Sequence, residues 1–256
     1  MKRLIICAIM AVVGGSVLPS CVTKTRVVRD EKLLFRFEKD PPTTQERDGL
    51  TVSVKIYSPS DADDDSIITR TVPIQVVQGG VARQQTSKIR LLPSPFFKVT
   101  IKNHTQFALR MDRAIIRLKD QADNDIKALG KQEVEDRLTS DLLNAQTFYN
   151  NEQGIQVTFP QLGADCRRIR LLTAETVIAP EDTFSGYIAF DVPDDRRDLK
   201  RLTEWAVQAG LLRLQMYQIP VATDAAGNVT KATKFEFAVR GKVDVNERTE
   251  EYKALF

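Results

Sequence analysis

Phe97-Lys98-Val99-Thr100-Ile101-Lys102-Asn103 alternates apolar and polar residues without a break. In an extended chain successive side chains point to opposite faces. Phe97, Val99 and Ile101 therefore share one side, and Lys98, Thr100 and Lys102 the other. A period of two is the mark of a strand with one face in a core and one in water. Leu50, Val52, Val54 and Ile56 repeat it against Thr51, Ser53, Lys55 and Tyr57.

Working outward from these two strands, the chain reads as more of the same. Leu33-Leu34-Phe35-Arg36-Phe37 predicts a short strand, closed by Asp40-Pro41-Pro42-Thr43-Thr44, since proline cannot donate to a ladder. Ile67 to Val77 predicts another, with Pro73 marking an edge position, and Gly79-Gly80 turns the chain. Asp61-Ala62-Asp63-Asp64-Asp65 has the aspartate spacing that opens a calcium loop. Ser66 and Val72 stand where that loop needs glycine and glutamate, so the stretch reads as an acidic turn. After a turn at Asn103-His104-Thr105, Leu109 to Leu118 predicts a long strand, and Asp120 to Asp125 a polar turn. Ile155 to Phe159, Ile169 to Leu172, Leu212 to Met216 and Phe235 to Val239 continue the series, the last two joined by a hairpin turn at Asp224-Ala225-Ala226-Gly227-Asn228.

Two segments depart from this rhythm. Val134, Leu138 and Leu142 recur four apart within 131–147, bracketed by Gly130 and Gly154, and predict an amphipathic helix that caps the core or, as the alternative, binds a partner. Leu199, Leu202, Trp205 and Ala206 predict a second, short helix within 194–210, with Trp205 packed on its stripe. About nine strands without regular strand–helix alternation give a mainly β, antiparallel sandwich.

The bulk numbers fit one large domain or two small ones: 256 residues, 42% hydrophobic and 28% charged. The formal charge of +3 includes Lys2 and Arg3, and the chain without residues 1–20 carries +1, which gives no basic face for nucleic acid. A single histidine, His104, excludes a multi-histidine metal site and makes a Ser-His-Asp triad improbable. His104 reads as a solvent-facing turn residue. There is no G-x-S-x-G, H-E-x-x-H, C-x-x-C or glycine-rich phosphate loop. Neither a catalytic residue nor a cofactor or metal site is therefore predicted.

The start of the chain has a different character. Lys2 and Arg3 precede an unbroken apolar run from Leu4 to Val13, then Gly14, Gly15 and Ser16, then Leu18-Pro19-Ser20-Cys21. A basic head, an apolar middle and small residues make a secretory signal, with ordinary cleavage as the plainer alternative to lipidation; a spanning helix is the weaker reading, since it needs ~20 apolar residues and Gly14, Gly15 and Pro19 break this stretch. Leu18-Pro19-Ser20-Cys21 resembles the lipobox of bacterial lipoproteins, with Pro19 where alanine, serine or threonine is commoner. The resemblance implies cleavage before Cys21, two or three acyl chains on that residue, and a membrane partner held through them. Because each buried methylene contributes about 0.8 kcal/mol, two or more chains anchor a protein durably. Val22 in place of aspartate after the cysteine implies the outer membrane if the source is Gram-negative. Cys7 falls in the signal, so lipidation of Cys21 leaves Cys166 without a disulfide partner. Cys166 lies beside Arg167 and Arg168 but reads as a structural thiol.

A second resemblance covers 96–193. Val99-Thr100-Ile101-Lys102-Asn103 together with Ile178-Ala179-Pro180-Glu181-Asp182-Thr183-Phe184-Ser185-Gly186-Tyr187-Ile188-Ala189-Phe190-Asp191-Val192-Pro193 is similar to the Ig-like (telokin-like) sandwich domain of many uncharacterised bacterial lipoproteins. Those domains pair a strand ending in asparagine with a later strand that opens on Ala-Pro. Glu181-Asp182 stands where Pro-Gly-Glu is commoner. The resemblance implies an Ig-like module of the cell envelope that binds or scaffolds without known catalysis, and carries over no functional residue.

The expected organisation is a signal at 1–20, a lipidated start and tether at 21–32, a sandwich at 33–243 and a mobile charged tail at 244–256. The leading functional expectation is a lipid-anchored, non-enzymatic interaction or scaffold module with an envelope protein partner. A periplasmic carrier or sensor for a small or apolar ligand needs a sizeable apolar pocket. A carboxylate-based hydrolase needs two inward acids about 5–9.5 Å apart.

Overall fold

A computed structural model describes residues 22–39, 42–58, 67–93, 95–152, 155–193, 199–224, 226 and 228–254. It is mainly β, 53% strand and 21% helix, with antiparallel sheets and three helices. In chain order the strands begin with β1 (Val22–Phe37), β2 (Thr44–Arg47), β3 (Leu50–Tyr57), β4 (Thr69–Gln78) and β5 (Val81–Arg90). β6 (Phe96–Asn103), β7 (Leu109–Arg110), β8 (Ile115–Lys119) and β9 (Asp125–Ile126) lead into helix α1 (Lys131–Glu152). β10 (Gln156–Thr158), helix α2 (Gly163–Arg168), β11 (Val177–Ile178) and β12 (Thr183–Ala189) follow. Helix α3 (Leu199–Ala209), β13 (Leu211–Thr223) and β14 (Val229–Ala254) complete the chain.

Two sheets make the sandwich, one in the order β1-β14-β13-β8-β9 and the other β12-β6-β3-β2. The alternating strands do as their sequences demand. Leu50, Val52, Val54 and Ile56 of β3 are in register with Asn103, Ile101, Val99 and Phe97 of β6, and their apolar members are buried. Leu212, Leu214 and Met216 of β13, with Phe235, Phe237 and Val239 of β14, face them in the same core, together with Leu202 and Ala206 of α3. Phe97 meets Phe190 edge to face at 5.7 Å between ring centres. Trp205 packs against this core as its stripe predicted.

A second core lies on the opposite side of the four-stranded sheet. Tyr57, Phe96, Tyr187 and Ala189 point away from the sandwich interior and are covered by Val134 and Leu138 of α1, Cys166 of α2, and Ile169 and Leu171. Tyr57 stacks on Phe96 at 4.9 Å. The two adjacent residues Phe96 and Phe97 thus face different cores. α1 begins at a half-formed capping box: the Gly130 N–H donates to Glu133 Oε2 at 2.8 Å. The helix runs to Glu152, beyond the predicted 147. Its first half packs on the second core, whereas Leu143 and Phe148 in the second half are 59% and 53% exposed.

A third sheet, β10-β4-β5, is built around a hairpin turned by Gly79-Gly80, both in the left-handed region. Pro73 is not on an edge strand, because β4 lies between β10 and β5. β10 covers only Gln75 to Val77, however, so the proline ring sits beyond that pairing and removes no bond from it.

Four further predictions are corrected. Leu109 to Leu118 is not one strand: a 3-10 turn at Met111–Arg113 divides it. β7 then pairs with β11, while β8 joins β13 in another sheet. Ile169 to Leu172 is not a strand; it follows α2 and makes one isolated parallel bridge, Leu171 to Tyr187. Residues 22–32 and 244–254, expected as tether and tail, have strand backbone, within β1 and β14 respectively. Within the body Glu38 N–H donates to Ala238 O at 2.9 Å. By its contacts the compact body runs Lys32–Asp244, and Met1–Glu31 with Val245–Phe256 make a separate unit. The signal at 1–20, Cys21, and the acidic turn 61–65 lie outside the described residues.

Candidate functional site

The most tightly built polar feature joins the two stretches of the Ig-like resemblance. β6 and β12 are antiparallel neighbours from Thr183 opposite Lys102 to Ala189 opposite Phe96. Asn103, at the end of β6, is fully buried, and its amide nitrogen donates to Ile178 O at 3.1 Å, Ala179 O at 3.0 Å and Phe107 O at 2.7 Å. Its side-chain oxygen accepts the Thr105 N–H at 3.0 Å and the Thr105 hydroxyl at 2.7 Å. The amide's full hydrogen-bonding capacity is spent on holding two loops together.

Glu181 follows directly and is left-handed, with φ of 60°. An L-residue in this region is strained by about 1–2 kcal/mol. Glu181 also lies 3.5 Å from His104 Nδ1, but both side chains are open to water, so the pair contributes little. Glu181→Gly is therefore expected to raise stability by about 0.5–1 kcal/mol in urea denaturation. An unchanged or lower midpoint would mean that the ion pair outweighs the backbone strain.

Cys166 is buried in the second core. The arginines beside it are turned to carboxylates: Arg167 Nη1 lies 3.1 Å from Glu135 Oε1, and Arg168 Nη1 lies 3.9 Å from Asp165 Oδ1. The thiol is part of the packing. Among the described residues Asp141 on α1 is the one buried carboxylate, and no cluster of three or more His, Cys, Asp or Glu has metal-ligand geometry. No helix among them is long and apolar enough to cross a membrane.

The outer face of the β13–β8 pair carries a charge ladder. Asp123, left-handed in the Asp120–Asn124 turn, receives Lys119 Nζ at 3.0 Å and Arg213 Nη2 at 2.6 Å. Hydrogen bonding to Lys119, with Arg213 beside it, holds its carboxyl below the usual range. The Asn124 side chain does the same for Asp120, and Lys231 and then Thr233 for Asp48. At the start of α1 the Gly130 N–H and then Lys127 lower Glu133, and Glu133 raises Lys127. Each shift stabilises the charged form by local pairing at the surface, without the burial that tunes an acid–base pair.

A depression of about 210 Å³ lies between Pro73, Gln75 and Gln84 of the hairpin and Thr158, Phe159 and Pro160. It is shallow and open, and smaller than the ~300–1,000 Å³ usual for a ligand pocket.

A search of protein-family models and of curated proteins finds no match to this chain. A solved structure, a conserved hypothetical protein from Bacillus anthracis, aligns over 73% of this chain and 89% of its own length, with 12% identity and a TM-score of 0.25, a likeness too weak to carry an argument about fold or function.

Proposed function

We propose that this protein is a lipid-anchored module of the bacterial cell envelope that binds or scaffolds another envelope protein without catalysing a reaction. Leu18-Pro19-Ser20-Cys21 after a basic head and apolar run is the observation that carries the reading. In it Cys21 is the acylated residue, and Val22 directs the product to the outer membrane in a Gram-negative cell. The Ig-like assignment is supported by the strand pair β6–β12 and by the Asn103 bonds to Ile178 and Ala179. For the carrier reading, the depression beside Pro73 is too shallow and small to lend support.

Cys21→Ser tests the proposal. In cells grown with a labelled fatty acid, the wild-type chain takes up label and sediments with membranes. The variant is expected to lose the label and to leave the membrane fraction. Retention of both would end the lipoprotein reading.

A further inference from the structure

The hairpin of β4 and β5 leaves one long backbone edge open. β5 is the outermost strand of its sheet, and all its ladder bonds among the described residues go to β4. Ile89 and Arg90 root it, whereas every residue from Val81 to Thr86, and Lys88, is exposed. Pairing with β4 is continuous from Thr69 opposite Arg90 to Gln78 opposite Val81, with no bulge. Residues 81–88 thus present ~27 Å of regular edge, on which alternate backbone N–H and C=O groups face outward. Folded proteins usually blunt such an edge by shortness, proline, a bulge or charge. Here only charge is used.

That charge has one sign. Residues 69–90 contain Arg70, Arg83, Lys88 and Arg90 and no acid, in a chain with 34 Asp and Glu. Arg70 pairs with Asp165 at 3.5 Å, and the buried Arg90 donates to Leu92 O at 3.1 Å. Arg83 and Lys88 are exposed and, among the described residues, make no ion pair. Edge pairing with a second copy sets Arg83 of one chain opposite or diagonal to Lys88 of the other, and like charges across a ladder destabilise it. An acidic strand in the same place satisfies both. Gln84, Gln85, Thr86 and Ser87 between them carry polar side chains that offer hydrogen bonds.

We propose that the open edge of β5 receives an extended, acidic segment of a partner protein as an added strand, with Arg83 and Lys88 selecting for its carboxylates. Backbone bonds supply the affinity and charge the selection. This deepens the interaction-module reading by naming its surface and partner class. Its test reads β5 directly and is independent of whether Cys21 is acylated.

The test is hydrogen exchange on the full-length protein in detergent, with two blocked eight-residue peptides at millimolar concentration. One carries glutamate in adjacent pairs between valine pairs, so that carboxylates lie on both faces of the added strand as Arg83 and Lys88 do on β5, and the other carries lysine in the same places. The glutamate peptide is expected to slow exchange of the 81–88 amides by about tenfold or more, while the lysine peptide leaves them unchanged. The double variant Arg83→Glu, Lys88→Glu reverses this preference; both side chains are exposed and without ion pairs, so the fold does not depend on them. Equal slowing by both peptides, or slowing by neither, would overturn the proposal. Binding of the glutamate peptide without slower exchange in β5 would also overturn it. So would protection appearing with protein concentration alone, or with phosphatidylglycerol vesicles and not with the peptide.

Discussion

Gly186→Val is expected to lower the unfolding free energy by about 3–4 kcal/mol, which for a domain of this size moves Tm down by roughly 6–16 °C. A Cβ on residue 186 would collide with the carbonyl oxygen of Arg170 and with the ring of Phe184. The ring is buried, and the carbonyl is backbone that already accepts the Tyr187 N–H at 2.8 Å. To make room, 169–172 must lift off β12, straining that bond and the one from Leu172 N–H to Tyr187 O at 2.9 Å. Ile169 and Leu171 belong to the second core and Leu172 to the first, so one misplaced segment loosens both. Urea denaturation of a chain starting at residue 22 measures the loss. Gly186→Ala isolates the first carbon, with a smaller effect. A cost under about 1 kcal/mol for valine would mean that the segment yields without strain.

Asn103→Ala is expected to cost about 3 kcal/mol, because it removes a buried side chain that donates three times and accepts twice. Some partners keep a second bond: Thr105 Oγ1 still reaches Phe107 O at 3.0 Å, and Asp182 N–H still reaches Ala179 O at 3.1 Å. These hold the loss below the sum of five. Asn103→Asp separates hydrogen bonding from size. Facing three carbonyl oxygens, the carboxylate is destabilised, so its folded pKa lies above the unfolded value of about 3.9. The variant is therefore least impaired when protonated, below pH ~4, and loses stability as pH rises through that value. Unfolding midpoints at several pH values check this; an Asp variant that gains stability relative to wild type as pH rises would contradict the geometry.

How much of this was legible depended on whether a strand has two unlike faces. β3 and β6 bury one side and show the other to water, so Leu50 to Tyr57 and Phe96 to Asn103 declared themselves. β5 is open on both sides over most of its length, and Val81-Ala82-Arg83-Gln84-Gln85-Thr86-Ser87-Lys88 shows no alternation. Its extended state comes from pairing with β4, which no local pattern records. For the same reason the edge carrying Arg83 and Lys88 could not be singled out from sequence. The apolar run from Leu109 to Leu118 misled in the opposite way, hiding a 3-10 turn at which the chain changes sheets. The end of β14 is so rich in charge that it read as a tail, although its backbone is extended strand.

The place of β14 in its sheet has a consequence for how the protein is made. It lies between β1 and β13, so the first strand of the body has no partner until the last strand exists. Phe35 and Gly241, which abut across this pairing, are separated by almost the entire length of the compact unit. Contacts of such sequence separation form slowly, and an unfilled gap in a sheet is a site for wrong pairing. The sandwich cannot close until β14 has been made, and until then β1 and β13 keep edges open to wrong pairing.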